Sequence, residues 1–229
     1  NGYETVMIAG GAEELHASHI AIFDTLYATS LKNSTPKLTP SPFDKDRDGL
    51  VLGEGAGTMI LEEYEHAKRR GAKIYAEIIG FGTSTDGTHI TNPCHETMGS
   101  ALSLAIKDAN ISPDQIGYIN AHGTATLQGD IAETTATYNV FKRKVPISSL
   151  KSYTGHTLGA CGAIEAILSI EMLNSGWFAP TLNLNNPDKN CAPLDYITGD
   201  GREINTGTIM SNNFAFGGIN TSLIFKKAV

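Results

Sequence analysis

His122 and His156 are the residues of this chain whose type and setting point most directly to chemistry. His122 lies in Asn120-Ala121-His122-Gly123-Thr124-Ala125-Thr126, directly after the apolar run 116–119. His156 ends Lys151-Ser152-Tyr153-Thr154-Gly155-His156, which follows a second strand-like run and leads into a helical one. A histidine at the carboxyl end of a buried strand stands where open α/β sheets hold their ligands, and an imidazole there can carry a proton or donate a hydrogen bond near neutral pH. One such histidine would read as a hydrogen-bonded structural residue; two in parallel settings read as one site. Gly123 permits close backbone approach, and the hydroxyls of Thr124 and Thr126 follow at alternate positions. A third glycine-bracketed segment, Ser211-Asn212-Asn213-Phe214-Ala215-Phe216-Gly217-Gly218, reads as a strand ending in a tight turn. Metal ligation is disfavoured, because no carboxylate or second histidine lies at ligand spacing beside either imidazole. Gly53-x-Gly55-x-Gly57 and Gly155-x-x-x-Gly159 lack the endings of phosphate-binding loops.

The elements that must position these segments alternate between short β-rich runs and helix-period stretches, the pattern of an α/β layered fold. Strands are expected at 5–9, 57–61, 76–82, 116–120, 145–149, 208–211 and 221–225, and their apolar character predicts sheets covered on both faces. Helices are expected at 62–70, 97–109, 130–141 and 158–175, with Gly71 and Gly176 as stop signals. Ser112-Pro113-Asp114 is a turn, and 181–193 is a long polar connection. The Gly-Thr-Ser-Thr-Asp-Gly stretch beginning at Gly82 breaks the pattern and places a boundary near 82, dividing the chain into 1–82 and 83–229.

At 229 residues, with 41% apolar and 18% charged residues, the chain has the composition of a globular protein with a substantial core. The net charge of −7 argues against a nucleic-acid surface. The basic clusters at 68–70 and 142–144 read as solvated helix ends or as docking points for an acidic carrier protein. No apolar run is long enough to be expected to span a bilayer. Cys94, Cys161 and Cys191 are scattered, without C-x-x-C spacing, so a reducing, cytoplasmic setting without disulfides is expected. A strand beginning at residue 5 needs neighbours, and the chain reads as a segment of something longer.

Together the glycine-bracketed segments resemble the β-ketoacyl-[acyl carrier protein] synthases, most closely the bacterial elongating enzymes of type I and type II. The resemblance is carried by 120–126 with Gly129-Asp130, by 151–156 with Gly159-Ala160-Cys161-Gly162-Ala163-Ile164-Glu165-Ala166, and by 211–220. Pro42-Phe43-Asp44, Arg47-Asp48-Gly49, Gly53-Glu54-Gly55-Ala56-Gly57 and the run from Val6 to Glu14 fit as well, in the right order. It implies a thiolase-like fold of α-β-α-β-α layers, of which this chain would hold the C-terminal half (83–229) and the end of the N-terminal half (1–82). The implied reaction is decarboxylative Claisen condensation of an acyl chain with malonyl-acyl carrier protein, in fatty acid or polyketide and polyene synthesis. No metal or free cofactor is implied, since the substrates ride on the phosphopantetheine of the carrier. The implied partners are acyl carrier protein, the N-terminal part of the same synthase, and a second subunit in a homodimer or ketosynthase heterodimer.

By the same resemblance His122 and His156 are the paired catalytic histidines, donating N–H bonds to the enolate oxygen that forms on decarboxylation. Lys151 and Glu165 match the charged pair that accompanies them, and Asp130 and Glu133 extend that polar network. Thr124 and Thr126 match positions that bind the pantetheine arm; Phe214 and Phe216 match the acyl-pocket wall, Phe216 as its gate. Ala215 stands where the family has Gly, a methyl expected to exclude positive backbone angles and stiffen the gate. Cys161 replaces a usual Ala and reads as core packing; Leu127 and Ile219 stand where Pro and Thr are common. The family's nucleophilic Cys lies upstream of the segment matched by 5–9, and neither Cys94 nor Cys161 has its helix-start context, so this chain alone is expected to be inactive. A non-catalytic chain-length partner of a ketosynthase heterodimer is the alternative reading. A thiolase acting on coenzyme A esters is disfavoured by 151–156, because thiolases use a second cysteine in a different motif.

Overall fold

A computed structural model describes residues 2 and 4–228. Strand β1 (Val6–Glu13), helix α1 (Ala17–Thr25) and strand β2 (Gly55–Glu62) come first, followed by helix α2 (Tyr64–Arg69). Strand β3 (Ala76–Thr85), helix α3 (His95–Asp108), strand β4 (Tyr118–Asn120), helix α4 (Leu127–Phe141) and strand β5 (Pro146–Ser148) form the middle of the chain. The one-turn helix α5 (Lys151–Thr154) and the long helix α6 (Cys161–Ser175) precede the short strands β6 (Trp177–Phe178), β7 (Asp195–Tyr196) and β8 (Arg202–Glu203). Strands β9 (Thr208–Ala215) and β10 (Ile219–Lys227) close the chain.

Six strands form one mixed sheet in the order β3-β10-β9-β4-β5-β7. The β9, β4, β5 and β7 strands run parallel, and β9 turns back antiparallel into β10 through Gly217 and Gly218, whose φ angles of 80° and 75° only glycine adopts readily. One face of the sheet buries Ile119, Ile147, Met210 and Ile224 against Leu102 of α3 and Ala136 of α4. The other buries Tyr118, Ile209 and Phe225 against Ala166 and Leu173 of α6. On the far side of α6 lies the antiparallel β1–β2 ribbon, giving four stacked layers of helix, sheet, helix and ribbon. Close packing between layers depends on glycine. A Cβ on Gly82 of β3 would stand 2.1 Å from the Ala101 carbonyl oxygen of α3, and one on Gly57 of β2 would stand 3.1 Å from Ile167 of α6.

The structure adds detail to three expectations. Among the described residues one face of the ribbon packs on α6, toward which β2 turns Gly55, Gly57 and Met59, and the other carries Ile8 and Ile60, 73% and 68% exposed. The stretch after Gly82 continues β3 to Thr85, since Thr83, Ser84 and Thr85 pair with Thr221, Asn220 and Ile219, so a division at 82 falls within a strand. Leu158–Ser175, with a mean hydropathy of 1.2, is long and apolar enough by composition to cross a membrane, yet 44% of it is buried here as the helix between sheet and ribbon. Cys94, Cys161 and Cys191 are free thiols.

Candidate active site

The site grows out of the parallel register of the central strands. Asn120 at the end of β4 is level with Ser148 of β5 and Ser211 of β9, so the residues that follow these three emerge side by side, past the ends of β4 and β5 and within the longer β9. His122 comes from the first, Lys151 from the second and Asn213 from the third. His156 follows α5 through Gly155, whose φ of 67° turns the chain back. Its backbone is then clamped by the segment before β2: the His156 N–H donates to the Val51 carbonyl at 2.7 Å, and the Gly53 N–H donates to the His156 carbonyl at 3.0 Å. Only glycine fits at position 53, where a Cβ would lie 2.1 Å from the Thr154 carbonyl oxygen.

The two imidazole rings meet edge to face, their centroids 5.2 Å apart at 85°. Both line a cavity of about 480 Å³, together with Thr124, Thr126, Glu133, Phe214 and Phe216. The His156 Nδ1 accepts the Leu158 N–H at 3.1 Å, which puts the ring proton on Nε2. Leu158 holds a φ of 43°, a strained angle for a branched residue that aims its N–H at the ring. Burial, reinforced by the Lys151 ammonium, drives His156 down to about 3. Burial, then Lys151 and His156, likewise hold His122 far below its ordinary value. Two neutral imidazoles face the cavity at pH 7.

The carboxylates divide into two groups. Lys151 and Glu165, both almost fully buried, form an ion pair behind the histidines. Burial raises the Glu165 pKa, and the Lys151 charge opposes that rise. Glu133 and Asp130, rather than joining this pair, build the His122 loop. Glu133 accepts the His122 and Gly123 N–H groups at 2.8 and 2.7 Å. Asp130 accepts from Ala125 at 3.2 Å and from Phe43 at 2.8 Å, and lies 3.2 Å from Nε of the buried Arg47. Burial raises Glu133 to about 7 and Asp130 to about 6 against those bonds. Thr124 and Thr126 share a 2.9 Å hydroxyl hydrogen bond at the cavity wall. Phe216 rests on Phe23 of α1, ring centroids 5.4 Å apart, and is about 37% exposed. Ala215 is the last residue of β9, and the positive φ angles fall on Gly217 and Gly218.

Two domain models match the chain: the N-terminal domain of beta-ketoacyl synthase over residues 1–67 and its C-terminal domain over residues 75–185. The chain belongs to the β-ketoacyl synthase family. It is 46% identical to the 3-oxoacyl-[acyl-carrier-protein] synthase 2 of Vibrio cholerae over 99% of this chain and 56% of that protein. The crystal structure of a β-ketoacyl synthase from Burkholderia phymatum is 60% identical, with a TM-score of 0.98, over all of this chain and 56% of that one. A type II polyketide ketosynthase, solved with its acyl-carrier protein and a bound hexaketide, is 37% identical with a TM-score of 0.93 over 57% of its length. This chain therefore spans a little over half the length of the relatives it matches, and its layers are those of the thiolase-like fold.

Several parts of this β-ketoacyl synthase site escape a reading of residue types. Phe23 enters the cavity from α1, a helix with no buried residue and hence no apolar stripe to announce it. The Leu158 N–H is a backbone group and has no sequence signature. Arg47 reaches Asp188, 141 residues away, at 2.7 Å. Cys161, expected as packing, lines the cavity and donates its thiol to the Asn213 Oδ1 at 3.1 Å.

The low pKa of His156 has a direct test. In an NMR titration its Cε1–H resonance is expected to hold its high-pH position from pH 8 down to 5, whereas a solvated imidazole moves with a midpoint of about 6.5. Because this ring is neutral in the fold and takes a proton when unfolded, the stability it contributes is complete above that midpoint. It is lost as the pH falls toward about 3. A His156 midpoint above 5 would contradict the neutral-donor assignment.

Proposed function

We propose that this chain carries the malonyl-decarboxylating half of a β-ketoacyl-[acyl carrier protein] synthase. The observation that carries the reading is the pair of perpendicular, neutral imidazoles 5.2 Å apart at the wall of one cavity. The malonyl thioester places its carbonyl oxygen between the rings. As the bond to the carboxylate carbon breaks, carbon dioxide leaves and its electron pair passes into the thioester as an enolate. The negative charge gathers on the oxygen that the imidazole N–H groups hold, where preorganised donors in a desolvated site are most effective. Neutral rings suit this role, because each donates without surrendering its proton.

The enolate carbon then attacks an acyl thioester, forming the new carbon–carbon bond and expelling a cysteine thiolate. None of the chain's own cysteines suits that part. Cys161 is hydrogen-bonded to Asn213 and burial raises its pKa, and burial pushes Cys191 up to about 12. Cys94 sits before α3, its thiol engaged by Glu96 at 3.0 Å. The nucleophile therefore comes from the N-terminal part of the synthase, outside these residues. Thr124 and Thr126 receive the pantetheine arm of a carrier protein, Phe214 and Phe216 bound the acyl pocket, and the enzyme works as a dimer in the cytoplasm. The two halves divide between α2 and β3, where the two domain matches separate. The chain-length-partner reading is weaker, because His122, His156 and Lys151 are all present and assembled.

With the full-length synthase, acyl-carrier and malonyl-carrier protein, the expected result is one carbon dioxide released per acyl chain extended by two carbons. The acyl intermediate should be trapped on a cysteine upstream of this chain and found there by mass spectrometry. Binding of acyl-carrier without acylation or carbon dioxide release would overturn the reading and favour the chain-length partner.

A further inference from the structure

Asn213 is a polar residue of the cavity to which the mechanism above gives no part. It projects from β9 toward α6 and meets that helix at two points one turn apart. Its Nδ2 donates to the Glu165 Oε2 at 3.3 Å, and its Oδ1 accepts the Cys161 thiol at 3.1 Å. Chemistry settles which end of the amide is which: a carboxylate only accepts, so the NH2 group must face Glu165, and the thiol then donates to the oxygen. The other Glu165 oxygen, Oε1, is taken by the Lys151 ammonium. The same amide faces His122, because the β4–β9 register that pairs Asn120 with Ser211 sets residues 122 and 213 beside each other.

We propose that Asn213 is a positioning residue of the decarboxylating site, its amide tying the Lys151–Glu165 pair to His122, with the Cys161 thiol fixing the amide's orientation. The inference rests on the function proposed above. Without this amide, Glu165 keeps only Lys151 and the Asn120 side chain as partners, so it can turn, taking Lys151 with it and changing the field at both histidines. The charged and titratable groups around the amide are Glu165 and Cys161 from α6, Lys151 from α5, and His122 and His156 across the cavity.

The test compares Asn213→Leu and the isosteric Asn213→Asp in the full-length synthase, reading malonyl-carrier decarboxylation at pH 6 and pH 8. Losing a hydrogen bond to a charged group predicts a fall in kcat of about 10- to 100-fold for Asn213→Leu, with KM changed far less. Asn213→Asp sets a second carboxylate against Glu165, and such a pair resists full ionisation. Its rate should therefore be low at pH 8 and recover toward pH 6, as the two carboxylates share a proton and the charge balance with Lys151 is restored. Dividing each rate by the folded fraction measured by circular dichroism at the same pH makes the ratio independent of how much variant folds. A simple packing role would leave that ratio at the unsubstituted value. An unchanged ratio for Asn213→Asp, or near-normal kcat for Asn213→Leu, overturns the proposal. His122→Ala in the same assay separates the two readings: if it fails to slow decarboxylation, the proposed function falls, and if it does slow it while the Asn213 variants behave normally, only this inference falls.

Discussion

Replacing His122 by Ala in the full-length synthase is expected to slow carbon dioxide release from malonyl-carrier protein by about 10²- to 10³-fold, the cost of removing one preorganised oxyanion donor. The size of the effect follows from where the ring sits. His122 is only 9% exposed, so water can reach the vacated position only poorly and cannot supply an equivalent donor. The enolate would then rest on His156 alone, and His156 cannot compensate by becoming charged, since burial and Lys151 hold it neutral. The loss should fall on kcat rather than KM, because the interaction strengthens only as charge reaches the oxygen. Transfer of the acyl chain to the upstream cysteine should be much less affected, so acylation and decarboxylation separate in one variant. His122→Gln, which restores an N–H donor, should recover part of the loss. Unchanged carbon dioxide release in His122→Ala would remove this residue from the chemistry and leave the two-donor mechanism without its first member.

That His122 could be singled out from residue order alone has a physical cause. An apolar run ending in Asn-Ala-His-Gly reports both a buried strand and the break at its carboxyl end, and these two facts place the imidazole at the sheet's ligand edge. The same logic served Lys151 and His156 after β5, and the Gly217-Gly218 turn after β9. What remained illegible depends on contacts between distant segments. Helix α1 buries no residue and so carries no apolar stripe. The strands β6, β7 and β8 are two residues each, too short for any period to register. Thr83 to Thr85 read as a loop because Gly, Thr and Ser dominate there, but the β10 ladder recruits them. Apolar content in β1 and β2 predicted coverage on both faces, whereas their glycines show which face meets α6. Asp130 and Glu133 were expected, by resemblance, to extend the Lys151–Glu165 network, yet their work is to hold backbone N–H groups of the His122 loop, which residue types do not announce.

Lys151→Met is the second substitution with a large expected effect, and here the consequence is for stability as well as rate. Lys151 and Glu165 are 1% exposed, and their ion pair is enclosed between β9, α5 and α6. Removing the ammonium while keeping most of the side-chain volume leaves a carboxylate with no counter-charge in a desolvated position. A loss of about 3–5 kcal/mol is expected from breaking such a pair on one side only. The sign of its pH dependence is fixed by Glu165. Its pKa is already raised by burial, and without Lys151 only the neutral Asn213 and Asn120 side chains oppose that rise. The folded variant therefore binds a proton more readily than the unfolded chain. The destabilisation is greatest at pH 8 and shrinks as the pH falls toward the ordinary glutamate range, where both states are protonated. Chemical denaturation of the variant at pH 8 and pH 5 measures this directly. The double variant Lys151→Met with Glu165→Leu should regain most of the lost stability, because a buried pair is commonly no more stabilising than the apolar side chains that replace it. It should not regain decarboxylation, since the field acting on both histidines has gone with the charges. A double variant that is both stable and active would show that the pair serves folding alone; one that is stable and inactive assigns it to the chemistry of His122 and His156.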